Sequence, residues 1–80
     1  MTTKLPDPRC VRCWSLAADM AYLDSYWADS LVEVAAMEED ERQKRRVEYA
    51  RTDGTYNSAS GFFWCDPCYI VVGSPLGKAP

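Results

Sequence analysis

The chain has 80 residues, 48% of them hydrophobic and 26% charged, enough for one small domain whose core needs a further brace. Nine basic against twelve acidic side chains give a net charge of −3, which disfavours bulk attraction to phosphate backbones, and the absence of histidine excludes every histidine-dependent triad or proton shuttle. No run approaches the roughly 18 apolar residues of a membrane span, and the opening MTTKLPDPRC lacks the apolar region of a signal peptide, so a soluble, cytoplasmic protein without a membrane partner is expected.

Residues 1–9 contain Pro6 and Pro8 and no apolar periodicity, which predicts an extended arm. Cys10 and Cys13 follow as a Cys-x-x-Cys pair. From Trp14 to Arg51 there is neither Gly nor Pro, and the composition of this 38-residue stretch favours helix. Leu16, Met20, Leu23, Trp27, Leu31 and Val34 recur at spacings of three and four and mark one buried stripe. A single helix of this length would run about 57 Å, whereas the 13 residues from Thr52 to Trp64 reach back at most about 45 Å. A helical hairpin is therefore required if both cysteine pairs are to meet within one chain. Ser30-Leu-Val-Glu33 reads as a capping box and places the break, giving helices over about 14–28 and 31–51. The second is charged nearly all round, with acid-first pairs Glu38/Arg42, Asp40/Lys44 and Glu41/Arg45 four residues apart.

Beyond Arg51, Asp53-Gly54 and Asn57-Ser-Ala-Ser-Gly61 are turn signals, and Phe62-Phe-Trp64 and Tyr69-Ile-Val-Val72 have strand character. An antiparallel β-hairpin over 55–72 is expected, with Cys65-Asp-Pro-Cys68 in its turn, followed by a loose tail over 73–80. The fold class is α+β: a helical hairpin inserted between two cysteine pairs, plus a small antiparallel hairpin, in a single domain spanning 1–80.

Cys10, Cys13, Cys65 and Cys68 have the spacing of a tetrahedral all-cysteine Zn²⁺ site. A redox dithiol or disulfide and an iron or iron–sulfur centre are the other uses of the same residues. A zinc tetrathiolate carries a net charge of about −2, which Arg9 and Arg12 are placed to soften. With one pair at a helix start and one in a hairpin turn, these cysteines resemble treble-clef and zinc-ribbon modules, in the reverse of the usual treble-clef order. In overall look the chain is similar to small four-cysteine proteins of bacteriophages and mobile elements. Four protein ligands leave no open position on the metal, so the zinc reads as architectural and no enzyme activity is expected.

Two surfaces carry the binding readings. Asp19, Tyr22, Tyr26 and Asp29 align on one face of the first predicted helix, and tyrosines edged by carboxylates suit a protein contact. Arg42, Arg45, Arg46 and Tyr49 share a face of the second and form the alternative, a phosphate-gripping nucleic-acid surface. An unpaired edge at Phe62–Trp64 would accept a partner strand or a second copy of the chain. The sequence thus points to a zinc-stabilised protein-binding regulator, acting on a nucleic-acid-processing or transcription component.

Overall fold

The computed structural model describes residues 7–80, and residues 1–6 of the expected arm lie outside that range. Strand β1 (Arg9–Cys10) leads into two successive 3-10 turns, Ala17–Asp19 and Ala21–Leu23, and three helices, α1 (Asp24–Trp27), α2 (Leu31–Ala36) and α3 (Glu39–Ala50). Strand β2 (Phe62–Phe63) and helix α4 (Asp66–Val71) complete the chain. The class is mixed α+β, as expected. Among the described residues no helix is long and apolar enough to cross a membrane.

The continuous helix expected over 14–28 is replaced by the two 3-10 turns and the single turn of α1. Its start is blocked by pairing: Leu16 bridges Arg9 in antiparallel fashion, and the Ala17 amide donates to the Pro8 carbonyl at 2.8 Å. Leu16 is therefore extended, with φ −76° and ψ 143°. The buried apolar residues that follow are Ala17, Met20 and Leu23, spaced by three. Each 3-10 turn links residues i and i+3, through the bonds from Met20 to Ala17 and from Leu23 to Met20, while Met20 itself leaves helical geometry at φ −91° and ψ 84°. Leu31, assigned to the stripe by the longer period, is 75% exposed.

The chain does fold back, with two breaks. At the first, the Ser30 hydroxyl accepts the Glu33 amide at 3.2 Å, while the Glu33 carboxylate accepts the Asp29 amide at 3.3 Å, one residue before the amide the box predicts. The second break, at Met37 and Glu38, has no side-chain cap, and both residues are extended. Helix α3 then returns across residues 17–27 and turns Arg46, Val47 and Ala50 inward. Arg42 reaches the terminal turn of α2, donating to the Val34 carbonyl at 3.4 Å.

Strands β1 and β2 run parallel, with Arg9 opposite Phe62 and Cys10 opposite Phe63. This corrects the expected antiparallel hairpin, because β2 pairs with the start of the chain across some fifty residues and not with its own successor. On its other side Phe62 bridges Asn57, so the edge read as open is paired at that position. Residues 69–72, expected as a strand, belong mainly to α4. Cys65 sits extended at its N-cap, and Asp66 and Pro67 occupy its first turn. Proline there is already set to helical φ and loses no hydrogen bond, which outweighs the β-branched Ile70 and Val71, both left facing solvent. The helix closes in a Schellman motif: Ser74 donates to Tyr69 at 2.8 Å, Gly73 to Ile70 at 3.1 Å, and Gly73 takes φ +92°. The tail has partners too, since Ala79 is buried and its amide donates to the Thr55 carbonyl at 2.8 Å. The core joins Ala17, Met20, Leu23, Ala50, Tyr56 and Phe63 to three of the cysteines.

Candidate metal centre

The first cysteine pair lies on a tight loop closed at both sides. The Cys10 amide donates to the Ser15 carbonyl and the Trp14 amide to the Cys10 carbonyl, each at 3.0 Å. Closing so short a loop requires a left-handed residue after the second cysteine, and Trp14 supplies it with φ +64°. A bulky residue is uncommon there and costs about 1–2 kcal/mol. Partial compensation comes from an edge-to-face contact with Phe62 at 5.4 Å and from Arg9, whose guanidinium lies 6.0 Å from the indole centre. Arg9 also donates to the Trp14 carbonyl, bracing the loop.

The second pair opens α4, with Cys65 at the N-cap and Cys68 in the first turn. The two roles are thus exchanged relative to the sequence reading: the knuckle comes first and the helix start last. Parallel pairing of β1 and β2 joins the halves, because Cys10 and Phe63 are register partners and Cys65 follows two residues later.

All four Sγ atoms lie within 4.8 Å of one another, and Cys13 and Cys65 are 3.8 Å apart. Bonds of 2.3 Å from one tetrahedral ion would separate sulfurs by about 3.8 Å, whereas a disulfide requires about 2.05 Å. The four cysteines are free thiols in a constellation that could hold one metal ion. Cys10, Cys65 and Cys68 are buried and Cys13 is exposed. The Ser15 hydroxyl, aided by its amide, pulls the Cys13 thiol from its ordinary 9.0 down to about 6, against the opposing effect of burial. Burial pushes the Cys65 thiol up, opposite in direction to Cys13. Arg12 places a guanidinium nitrogen 3.7 Å from the Cys68 sulfur, the softening charge expected of it.

The other residues singled out from the sequence are distributed differently. Tyr22 and Tyr26 meet edge to face at 6.0 Å, but the side chains of Asp19 and Asp29 are exposed and make no hydrogen bond or ion pair among the described residues. The tyrosines join instead with Asp66, which the sequence reading passed over although it lies inside the second cysteine pair. Tyr26 donates to its carboxylate at 2.6 Å and the Asp66 amide donates to the Tyr22 hydroxyl at 3.2 Å. Burial raises the pKa of Tyr22, and the bond to Asp66 raises that of Tyr26.

Of the basic set, Arg46 is 5% exposed and turned inward. It donates to both Asp24 oxygens at 2.7 and 3.0 Å, to the Ala18 carbonyl at 2.8 Å and to Glu39 at 3.1 Å, and Asp24 raises its pKa further. Arg42 pairs with Glu39 at 2.9 Å, three residues back and not with Glu38, and Arg45 pairs with Glu41 at 3.2 Å. Tyr49 stacks on Tyr26 at 5.7 Å. Compared with known proteins, the chain matches no family model, no curated protein and no solved structure.

Proposed function

We propose that this chain is a small zinc-stabilised protein-binding module of treble-clef character, which modulates a component of nucleic-acid processing or transcription. The convergence of four sulfurs within 4.8 Å of one another, with one pair at the 3.8 Å of a tetrahedral site, carries the reading. A knuckle followed by a cysteine at a helix N-cap is the treble-clef order. Four thiolates fill the coordination sphere of Zn²⁺, leave no position for water or substrate, and make the ion a tie between the chain's first and last thirds. Ten aromatic residues in 80, with Tyr26 and Trp14 more than half exposed, support a protein partner over a solvated surface. The inward turn of Arg46 and the pairing of Arg42 and Arg45 weigh against the alternative nucleic-acid surface.

The test combines metal analysis with capture on one sample. Protein purified under reducing conditions should be colourless and contain one zinc per chain. It should retain a saturable partner from a lysate of the source organism that Tyr26→Ala loses. Iron at the site, or no partner sensitive to Tyr26, overturns the reading.

A further inference from the structure

Three tyrosines from separate elements meet at one corner. Tyr22 stands at 86° to Tyr26, and Tyr26 lies within 21° of parallel to Tyr49. With Leu23, Ala50, Phe63, Asp53 and Asp66 they line a cleft of about 30 Å³. Among the described residues no basic side chain lines it. Asp53 uses Oδ1 for the amide and hydroxyl of Thr55, at 2.8 and 2.6 Å, and Asp66 uses Oδ2 for Tyr26. Among the described residues each keeps a second oxygen without a hydrogen bond.

Aromatic faces attract a cation through their quadrupole, and carboxylates at the rim add charge complementarity. From this geometry we infer that the cleft is a binding site for one lysine side chain of the partner, its ammonium seated among Tyr22, Tyr26 and Tyr49 and capped by Asp53 and Asp66. The cleft is small, at about 30 Å³, and suits the compact point charge of an ammonium on a flexible stem better than the broad planar guanidinium. The chain's net charge of −3 has the sign that draws a basic partner. This inference rests on the protein-binding reading and specifies the chemistry of its contact.

The test titrates the tripeptide acetyl-Gly-Lys-Gly-amide onto the metal-loaded full chain, followed by amide NMR shifts. Saturable shifts confined to residues 22–26, 49–53 and 63–66 are expected. Tyr26→Ala should weaken binding about two- to five-fold, as loss of one exposed cation–π partner implies. Asp66→Asn should weaken it similarly with metal content unchanged. Tyr26→Phe, which keeps the ring and frees the Asp66 oxygen, should bind as tightly or tighter. Glu38→Gln, at an exposed carboxylate elsewhere, should change nothing. Shifts spread over 38–41, equal loss in Glu38→Gln, or equal binding of the arginine tripeptide, the glutamate tripeptide or a thymidine decanucleotide would overturn the inference. Absence of tripeptide binding also overturns it, even where lysate capture succeeds. Tripeptide binding without any captured partner refutes the protein-binding reading alone.

Discussion

Asp24 holds the buried guanidinium of Arg46, and its removal is the sharpest test of how α3 is held on the rest of the chain. Asp24→Ala leaves the Nε and Nη2 donors of Arg46, a side chain only 6% exposed, without an acceptor, while Nη1 keeps Ala18 and Glu39. Breaking a buried pair from one side costs about 3–5 kcal/mol. Two lost hydrogen bonds to charged groups, at about 1.5–3 kcal/mol each, give a similar total. An 80-residue domain has roughly 4–12 kcal/mol in all, so the variant sits near the edge of folding. The midpoint of thermal unfolding should fall by at least about 12 °C. Urea unfolding at fixed free zinc measures the effect, the zinc being held constant because metal binding itself shifts stability. Arg46→Met alone should also destabilise, by leaving Asp24 buried without a cation. The double variant Asp24→Ala with Arg46→Met should recover at least half of the summed loss. A cost for Asp24→Ala below about 1 kcal/mol, or strict additivity of the two substitutions, would refute the assignment of Arg46 as an internal anchor. Glu39→Gln, at the exposed arm of the same network, should cost under about 1 kcal/mol.

Cys68→Ser should abolish stoichiometric zinc and unfold the chain at 37 °C by circular dichroism, since the sulfurs are part of the core around Phe63; a folded, zinc-free variant would contradict this. Zinc binding at pH 7.5 should release fewer than four protons, because Cys13, with a pKa of about 6, is already mainly thiolate, while Cys65 releases its own. The contribution of Cys13 to the stability of the metal-free protein is complete above its ordinary value of 9.0 and is lost as the pH falls through about 6. Proton release measured in weak buffer checks the count, and four protons would be the refuting result. At position 14, glycine should be more stable than alanine by about 1 kcal/mol, since both lose the contact with Phe62 but only glycine relieves the positive φ. Equal stabilities would mean that the left-handed turn carries no strain.

What could be read along the chain was what short-range chemistry dictates. The cysteine spacings, the cap at Ser30, the helical and charged character of 31–51 (though not its break at Met37 and Glu38) and the need to fold back follow from local geometry or from the reach of the polymer. The 3-10 turns were hidden because Ala17, Met20 and Leu23 satisfy a three-residue period only once Leu16 is pinned to Arg9. Helix α4 had a visible signal in Asp66-Pro67 after an extended cysteine, masked by the β-branched run behind it. Parallel pairing of Arg9–Cys10 with Phe62–Phe63, the inward turn of Arg46 and the meeting of Tyr22, Tyr26 and Tyr49 with Asp66 had no local trace. Each depends on groups more than twenty residues apart, and their energies arise only when the folded chain removes water from between them. Local rules therefore identify the four cysteines of the candidate metal site, and long-range packing determines which remaining side chains are buried and which stay exposed.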